Sequence, residues 1–364
     1  MDVAGSVTDT LILVNGHESG PLGERARWVA KAAPAGAAVV YRAAGRTAAV
    51  RRFVQRLHAD RPRVVYLVDA AIATVTAGLW ARRLGARIVL DTGDAIGALT
   101  RSAGTLGVVG AAGAPWLERL AYRLADTIVA RSEGLAQHVR SMSRRPVVVG
   151  PDGYDPCAAD QLDGASERRR WGIGEDRTVV GVIGSAHWNA RLRWCYGRDV
   201  VEVVAAARRP DVVGLVLVRG DGLPHLRSLA QERRVADRVL FDDPGSPARA
   251  WHRLAAMDVA LSTQTNDLVG QSRTTGKLVQ YMASGRYVLA SRVGTAATLL
   301  PAPMLVDYHG PWDEGYFARL AERVTALPDR RGLAEQGRRL RDLAAPFAYP
   351  RLVETLRASV FGAR

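Results

Sequence analysis

Cysteine is nearly absent: Cys157 and Cys195 are the only two among 364 residues, and neither sits in a CxxC pair. Two thiols make no disulfide framework, which points to a reducing, cytoplasmic setting. Aromatic residues make up 6% of the chain, few for the stacking platforms that hold single-stranded nucleic acid. Long apolar runs are missing as well. The longest uncharged stretch, 102–117, is broken by Gly and Pro and is too short to span a bilayer. Peripheral contact with a membrane surface and the lining of a cleft both stay open for it. Met1-Asp2 leads into polar residues, so no secretory leader is expected. Acidic residues are in deficit, 36 against 50 Lys and Arg, a net charge of +14. That excess suits a polyanionic partner, but the basic residues are dispersed. Their longest cluster is Arg168-Arg169-Arg170, which argues against a nucleic-acid groove.

Several catalytic signatures are missing too. No GxGxxG follows the first apolar run, and no GxxxxGK[ST], HExxH, Cys/His cluster or GxSxG occurs. Dinucleotide binding, P-loop NTPase chemistry, a fixed metal and a nucleophile elbow all lose support.

What is present is a repeated alternation. Short runs of Val, Ile and Leu at 10–15, 37–41, 64–68, 87–90, 127–130 and 146–149 read as strands. Candidate helices at 23–33, 47–59, 71–84, 115–124 and 134–141 separate them. The pattern then restarts, with strands at 179–183, 213–218, 239–241, 259–261, 287–290 and 304–306, and helices near 196–207, 224–232, 247–256, 277–283 and 295–300. Continuous apolar strands separated by helices imply parallel sheets covered on both faces. The expected architecture is α/β, with two doubly wound Rossmann-like domains facing across a cleft and ligands at the carboxyl ends of the strands. Domain boundaries follow at 1–150 and 151–345, with a Pro/Asp/Gly-rich linker at 151–171 that lacks apolar periodicity. Residues 346–364 space Phe347, Tyr349, Leu352, Leu356 and Val360 like the buried face of a terminal helix packing back toward the first domain.

From Gly270 the chain reads GQSRTTGKLVQYMASGRYVLASRVG: a polar loop, a helix starting near Gly276, then a strand. Thr274, Thr275 and Gly276 at a helix start, with Arg273 and Lys277 beside them, form a recipe for holding a diphosphate. An ordinary capped helix with a solvated lysine fits TTGK equally well.

This segment resembles the donor-binding loop of family-4 glycosyltransferases with the GT-B fold, which reads close to PTKLFEYMAAGKPVVAS. The likeness extends to 88–99 (IVLDTGDAIGAL), 117–139 (LERLAYRLADTIVARSEGLAQHV), 147–155 (VVVGPDGYD), the turn Arg219-Gly220-Asp221-Gly222 and 257–262 (MDVALS). The resemblance implies a bacterial, metal-independent enzyme that takes a nucleoside-diphosphate sugar, UDP- or GDP-linked, and no other cofactor. It further implies transfer with retention at the anomeric carbon to a small-molecule or glycan acceptor, in specialised-metabolite or cell-surface glycan biosynthesis. Two departures matter. The family's two Glu, eight positions apart, fall on Ser272 and Gln280, which leaves donor ribose and sugar to be bound without charge assistance. In its GRLxxxKG segment Arg191 matches the Lys, Ser185 replaces the Arg, and His187 or Arg193 can compensate.

Breaking the anomeric carbon–phosphate bond builds negative charge on the leaving diphosphate, so fixed cations and helix-terminal N–H groups there supply the main electrostatic stabilisation. Arg191, Arg273, Lys277 and the Thr275 and Gly276 amides are the candidates. On the acceptor side, Gly16, His17 and Glu18 follow the first strand; His17 and Glu18 either touch acceptor and sugar or form a solvated loop. Asp94 matches the family's cleft-facing Asp and is expected to act in catalysis, with His187, Arg191 and Lys277. His187 sits under the transferred sugar or is a surface histidine. Asp91 is expected to tie down its loop through backbone N–H groups, and Asp69 to cap the next helix. A sugar-nucleotide epimerase on the same fold, and a non-catalytic sugar-nucleotide-binding homologue or partner subunit, are the alternatives.

Overall fold

A computed structural model of the chain describes residues 9–33, 36–103, 107–190 and 192–362, with side chains for all but 103 and 107–111. The described residues divide into two compact units. Unit 1 takes those within Met1–Asp152, Ser272–Thr274 and Tyr349–Arg364; unit 2 takes those within Gly153–Gln271 and Thr275–Ala348.

In unit 1 the chain runs β1 (Thr10–Val14), α1 (Pro21–Ala32), β2 (Ala37–Tyr41), α2 (Arg46–Asp60), β3 (Val64–Val68), α3 (Ile72–Arg83), β4 (Arg87–Thr92), α4 (Ile96–Ala103), α5 (Gly107–Leu124), β5 (Thr127–Ala130), α6 (Glu133–Met142) and β6 (Val147–Val149). The six strands pair in parallel in the order β2-β1-β3-β4-β5-β6. Alternate side chains leave opposite faces. Leu11 and Leu13 join Phe53 and Leu57 of α2 in one core layer. Ile12 and Val14 join Ala26 and Val29 of α1 in the other, together with Leu352, Val353 and Leu356 of the C-terminal helix Tyr349–Leu356. Both faces are covered, which is why these strands are mostly apolar runs without inside–outside alternation. Trp28 of α1 stacks on Tyr349 with ring centroids 5.2 Å apart.

Between β4 and β5 the sequence predicts one helix, 115–124; the structure has α4 and a longer α5, with Pro115 inside it. The cause is long-range. Glu118 of α5 accepts the backbone N–H groups of Ile96 and Gly97, each at 3.1 Å, and the Tyr122 hydroxyl at 2.9 Å. It thereby supplies the carboxylate that the start of α4 lacks locally. Part of the 102–117 stretch, residues 104–106, lies outside the described residues. Among the described residues, no helix is long and apolar enough to cross a membrane.

Asp91 corrects a second expectation. It is fully buried in β4 and is held by side chains rather than by loop N–H groups. Arg25 Nε of α1 donates at 2.7 Å, Arg131 Nε at 2.8 Å and the Tyr66 hydroxyl of β3 at 2.7 Å. Burial alone would raise its pKa, but Arg25, then Arg131 and the Tyr66 hydroxyl, outweigh that and hold it below the usual carboxylate range. Arg25 also donates to the carbonyls of Gly150 (2.7 Å) and Pro151 (3.1 Å).

Unit 2 opens where a linker without structure is expected. Two short helices occupy that segment, α7 (Pro156–Asp160) and α8 (Gly164–Arg170). Each is capped by an aspartate: Asp155 accepts from Cys157 N (3.0 Å) and Asp163 from Ser166 N (2.9 Å). Of the Arg168–Arg170 cluster, Arg168 is buried and donates to the Ala256 carbonyl (2.8 Å) and to Asp258. β7 (Thr178–Ser185), α9 (Arg198–Ala206), β8 (Val212–Arg219), α10 (Leu223–Glu232), β9 (Val239–Asp242), α11 (Pro247–Ala255), β10 (Val259–Ser262), α12 (Leu268–Ser272), α13 (Gly276–Ala283), β11 (Tyr287–Ser291), α14 (Gly294–Leu299), β12 (Leu305–Val306), α15 (Tyr316–Thr325) and α16 (Arg330–Ala344) follow. The sheet order is β12-β11-β10-β7-β8-β9, all parallel.

Removing one partner of a buried, hydrogen-bonded charge set leaves the others uncompensated, at about 3–5 kcal/mol. Asp91→Ala should therefore lower the thermal midpoint by roughly 10 °C. Tyr66→Phe, which removes one hydroxyl donor worth about 1 kcal/mol, should cost much less. Differential scanning calorimetry on both variants checks the order.

Candidate functional site

In each sheet the strand order reverses once, between β1 and β3 in unit 1 and between β7 and β10 in unit 2. Such switch points open a crevice beyond the strands' carboxyl ends. In unit 2 the opening is pronounced, because β7 and β10 pair only at Val180–Val259 and Gly181–Ala260. The N–H of Ile183 is met instead by the hydroxyl of buried Tyr281, at 3.0 Å. Tyr281 lies one helical turn beyond Lys277, so this bond pins α13 against the end of β7.

Lys277 then reaches over that strand end. Its Nζ lies 3.2 Å from the centroid of the Tyr196 ring, a cation–π contact. Gly184, at φ +149°, leaves it room: a Cβ there would sit 3.0 Å from the Lys277 Nζ. Tyr196 is held by Gln264 Nε2, which donates to its hydroxyl at 3.1 Å. Below lies Asp199, fully buried in the first turn of α9, where it accepts from Thr263 Oγ1 at 2.8 Å and from Val200 N at 3.0 Å. Burial raises the Asp199 pKa; Thr263, the Val200 amide and Lys277 oppose that shift without cancelling it.

α13 starts at Gly276 with Thr275 as an extended N-cap, and no side chain caps it. Thr275, Gly276, Lys277 and Gln280 therefore share one short helix at the switch point of unit 2, with Lys277 and Gln280 half-buried. A lysine ammonium, a helix start and an aromatic face suit an anion such as a diphosphate. Tyr196, Asp199, Thr263 and Gln264 carry no motif. A weak signal for Asp199 is an acid within the apolar helix RDVVEVVAA.

The other expected donor residues are placed differently. Ser272, Arg273 and Thr274 belong to unit 1. Ser272 is buried and its carbonyl accepts from the Ser132 hydroxyl; Thr274 is buried as well. Arg273 Nε donates to Asp94 Oδ1 at 2.6 Å, so two groups expected to act separately are paired. Arg191 lies outside the described residues. His187 is 84% exposed, its Nδ1 4.0 Å from Asp221, while neighbouring Trp188 stacks on His225. Arg193 is exposed at φ +48°. In unit 1, Gly16, His17 and Glu18 form a turn packed on α1. The Glu18 carbonyl accepts from Arg27 at 2.8 Å, while the His17 and Glu18 side chains face solvent.

Asp69, at the carboxyl end of β3, is no helix cap. Ala71 is the N-cap of α3, and it is the Asp69 carbonyl that accepts from Thr74 Oγ1, at 2.6 Å. The residue adopts φ +77°, and its carboxyl is pushed up to about 6. Burial is the main cause; Arg131 opposes it, and Asp94, Asp91 and Asp152 add to it.

No protein-family model and no curated protein sequence matches the chain. Solved structures do. The chain is similar to Anabaena HepE in complex with UDP (TM-score 0.73, 15% identity, 97% of this chain and 99% of that one). It is similar also to sucrose-phosphate synthase from Thermosynechococcus elongatus (TM-score 0.71, 18% identity, 95% and 96%). A third is a Listeria monocytogenes protein assigned as a UDP-N-acetylglucosamine 2-epimerase (TM-score 0.64, 11% identity, 98% and 98%). The two sheets with their alternating helices are the GT-B fold, as the resemblance of the donor-loop segment implies.

Because the folded state keeps the Asp69 proton up to about pH 6 while an unfolded chain loses it at about 3.9, this carboxyl makes stability fall as pH rises from about 4 to 6. Asparagine tolerates positive φ and carries no charge. Asp69→Asn should therefore melt higher than the parent at pH 7, and the two melting curves should converge below about pH 4. Paired melts across that range test it.

Proposed function

We propose that the protein is a glycosyltransferase that takes its sugar from a nucleoside diphosphate, with Lys277 and the first turn of α13 holding the leaving diphosphate. The observation that carries this reading is the Lys277 ammonium seated at the switch point of unit 2 against Tyr196 and above the strand end at Gly184. A cation fixed there needs no reorganisation as charge develops on the leaving group, and preorganised charge of this kind lowers such a barrier more than any other single device. Lysine and backbone N–H groups neutralise a diphosphate without a metal. The likeness to a protein whose structure contains UDP favours a uridine nucleotide.

Gln280 is assigned to the ribose or sugar, through a neutral amide where a carboxylate would bind more tightly. In unit 1, Asp94 is assigned to orient acceptor or sugar, and Arg273 fixes its carboxylate by the 2.6 Å hydrogen bond. We assign retention at the anomeric carbon, with the leaving phosphate taking the acceptor's proton. Ser272 is buried on its own carbonyl contact, which moves it from direct donor binding to positioning of the loop.

A second reading is an epimerase, favoured by the similarity to the Listeria protein. It would convert a sugar nucleotide with no acceptor present. A homologue that binds the nucleotide without turnover is the third, favoured by the loss of both carboxylates at Ser272 and Gln280.

Calorimetric titration with UDP, GDP, ADP, CDP and TDP should single out one nucleotide. Lys277→Ala should weaken it about 10- to 100-fold, as expected for a hydrogen bond to a charged group, and lower turnover about 10²–10³-fold with the ligand-free melt unchanged. Wild-type binding by a folded Lys277→Ala would overturn the diphosphate assignment. A new sugar nucleotide formed without acceptor would identify the epimerase.

A further inference from the structure

A sizeable cavity lies in unit 1, lined by none of the residues around Lys277. It holds about 860 Å³, within the range of small-molecule sites. It opens beside Asn15, at the carboxyl end of β1, and Ala70, just past β3, the two strands that flank the switch point of that sheet. Its walls come from the starts of α2 and α3 and from α4 and α5.

The lining is mainly apolar. Ile72 of α3 is 48% exposed, and Trp116 and Leu120 of α5 are 70% and 41% exposed, with Ile96 and Leu117 beside them. A cluster of exposed large apolar side chains is costly in water and marks a surface that something else covers. Here they line a concavity, whereas an interfacial helix lays a convex apolar face on a bilayer. Among the described lining residues the charged ones are Arg42 and Arg46. Both are exposed. Neither has a carboxylate partner among the described residues. No acid sits in the first turn of α2, which Arg46 begins, and no side chain caps that helix.

We propose that this pocket binds an elongated apolar molecule carrying one anionic group, the chain against Ile72, Trp116 and Leu120 and the anion at Arg42 and Arg46. The complementarity is twofold: apolar wall to apolar chain, and charges of one sign to a group of the opposite sign. That this ligand is the glycosyl acceptor rests on the transferase reading above; the ligand site itself does not. The acceptor class is then an amphiphile with an acidic group.

The test is isothermal titration of the full-length protein with n-octyl phosphate below its micelle concentration, alongside n-butyl phosphate and 1-octanol, in the absence of nucleotide. Octyl phosphate should bind one to one. Butyl phosphate, four methylenes shorter, should bind about 250-fold more weakly, since each buried methylene is worth roughly fourfold. Arg46→Ala should weaken octyl phosphate about tenfold and leave octanol unchanged. Leu120→Glu, at an exposed position, should abolish both. Absence of octyl phosphate binding would overturn the proposal, as would equal binding of the butyl and octyl compounds or binding unaffected by Leu120→Glu. Leu120-dependent association only with phosphatidylglycerol vesicles would overturn it in favour of a membrane face. The five nucleoside diphosphates titrated into the same samples separate the two claims: octyl phosphate binding with no nucleotide bound sinks the transferase reading alone, and the reverse sinks the pocket alone.

Discussion

A single carboxylate organises unit 1. Asp91 stands in the middle of a sheet, out of reach of water, and such a charge survives only if its neighbours neutralise it. Arg25 and Arg131 do so, and each is committed elsewhere as well. Arg25 reaches from α1 to the carbonyls of Gly150 and Pro151. Arg131 follows β5 and packs against Gly93, where a Cβ would meet its Nη1 at 2.8 Å. The result is a rigid set of β-strand ends held by charge rather than by apolar packing alone. Asp69 nearby shows the opposite outcome: burial raises its pKa, Arg131 only partly opposes that, and the neighbouring Asp94, Asp91 and Asp152 add to the rise.

Unit 2 solves the corresponding problem with a sign change. There a buried acid, Asp199, sits in the first turn of α9, and Lys277, which opposes the rise of its pKa, rests its ammonium on the Tyr196 ring. Tyr196 supports that ammonium through its ring face, which stabilises a cation without neutralising it. A cation fixed in place is what an incoming anion requires, and the short β7–β10 ladder leaves a gap beside it.

Much of the fold is legible in the sequence because strands buried on both faces announce themselves as unbroken apolar runs. The observed strand bounds fall within one or two residues of those runs. What escapes is whatever depends on distant partners. α4 is capped from Glu118, and α7 and α8 start at aspartates in a segment with no apolar period. Asp91 and Arg25 are 66 residues apart. In the site, Lys277 is readable as a cation at a helix start, whereas its seat on Tyr196 and over Asp199 exists only after folding. The pairing of Arg273 with Asp94, 179 positions away, is of the same kind.

The return of the C-terminal helix to the first sheet has a consequence for synthesis. One face of that sheet, including Ile12, Val14, Tyr66 and Val89, is shielded in part by Tyr349, Leu352, Val353, Leu356 and Val360. A ribosome delivers those shielding residues some 280 or more positions after β3, at about 5–20 residues per second. Unit 1 therefore waits, partly uncovered, while unit 2 is made and can fold. Until those residues arrive α1 alone shields that face, so the packing of unit 1 is completed last although its strands are made first.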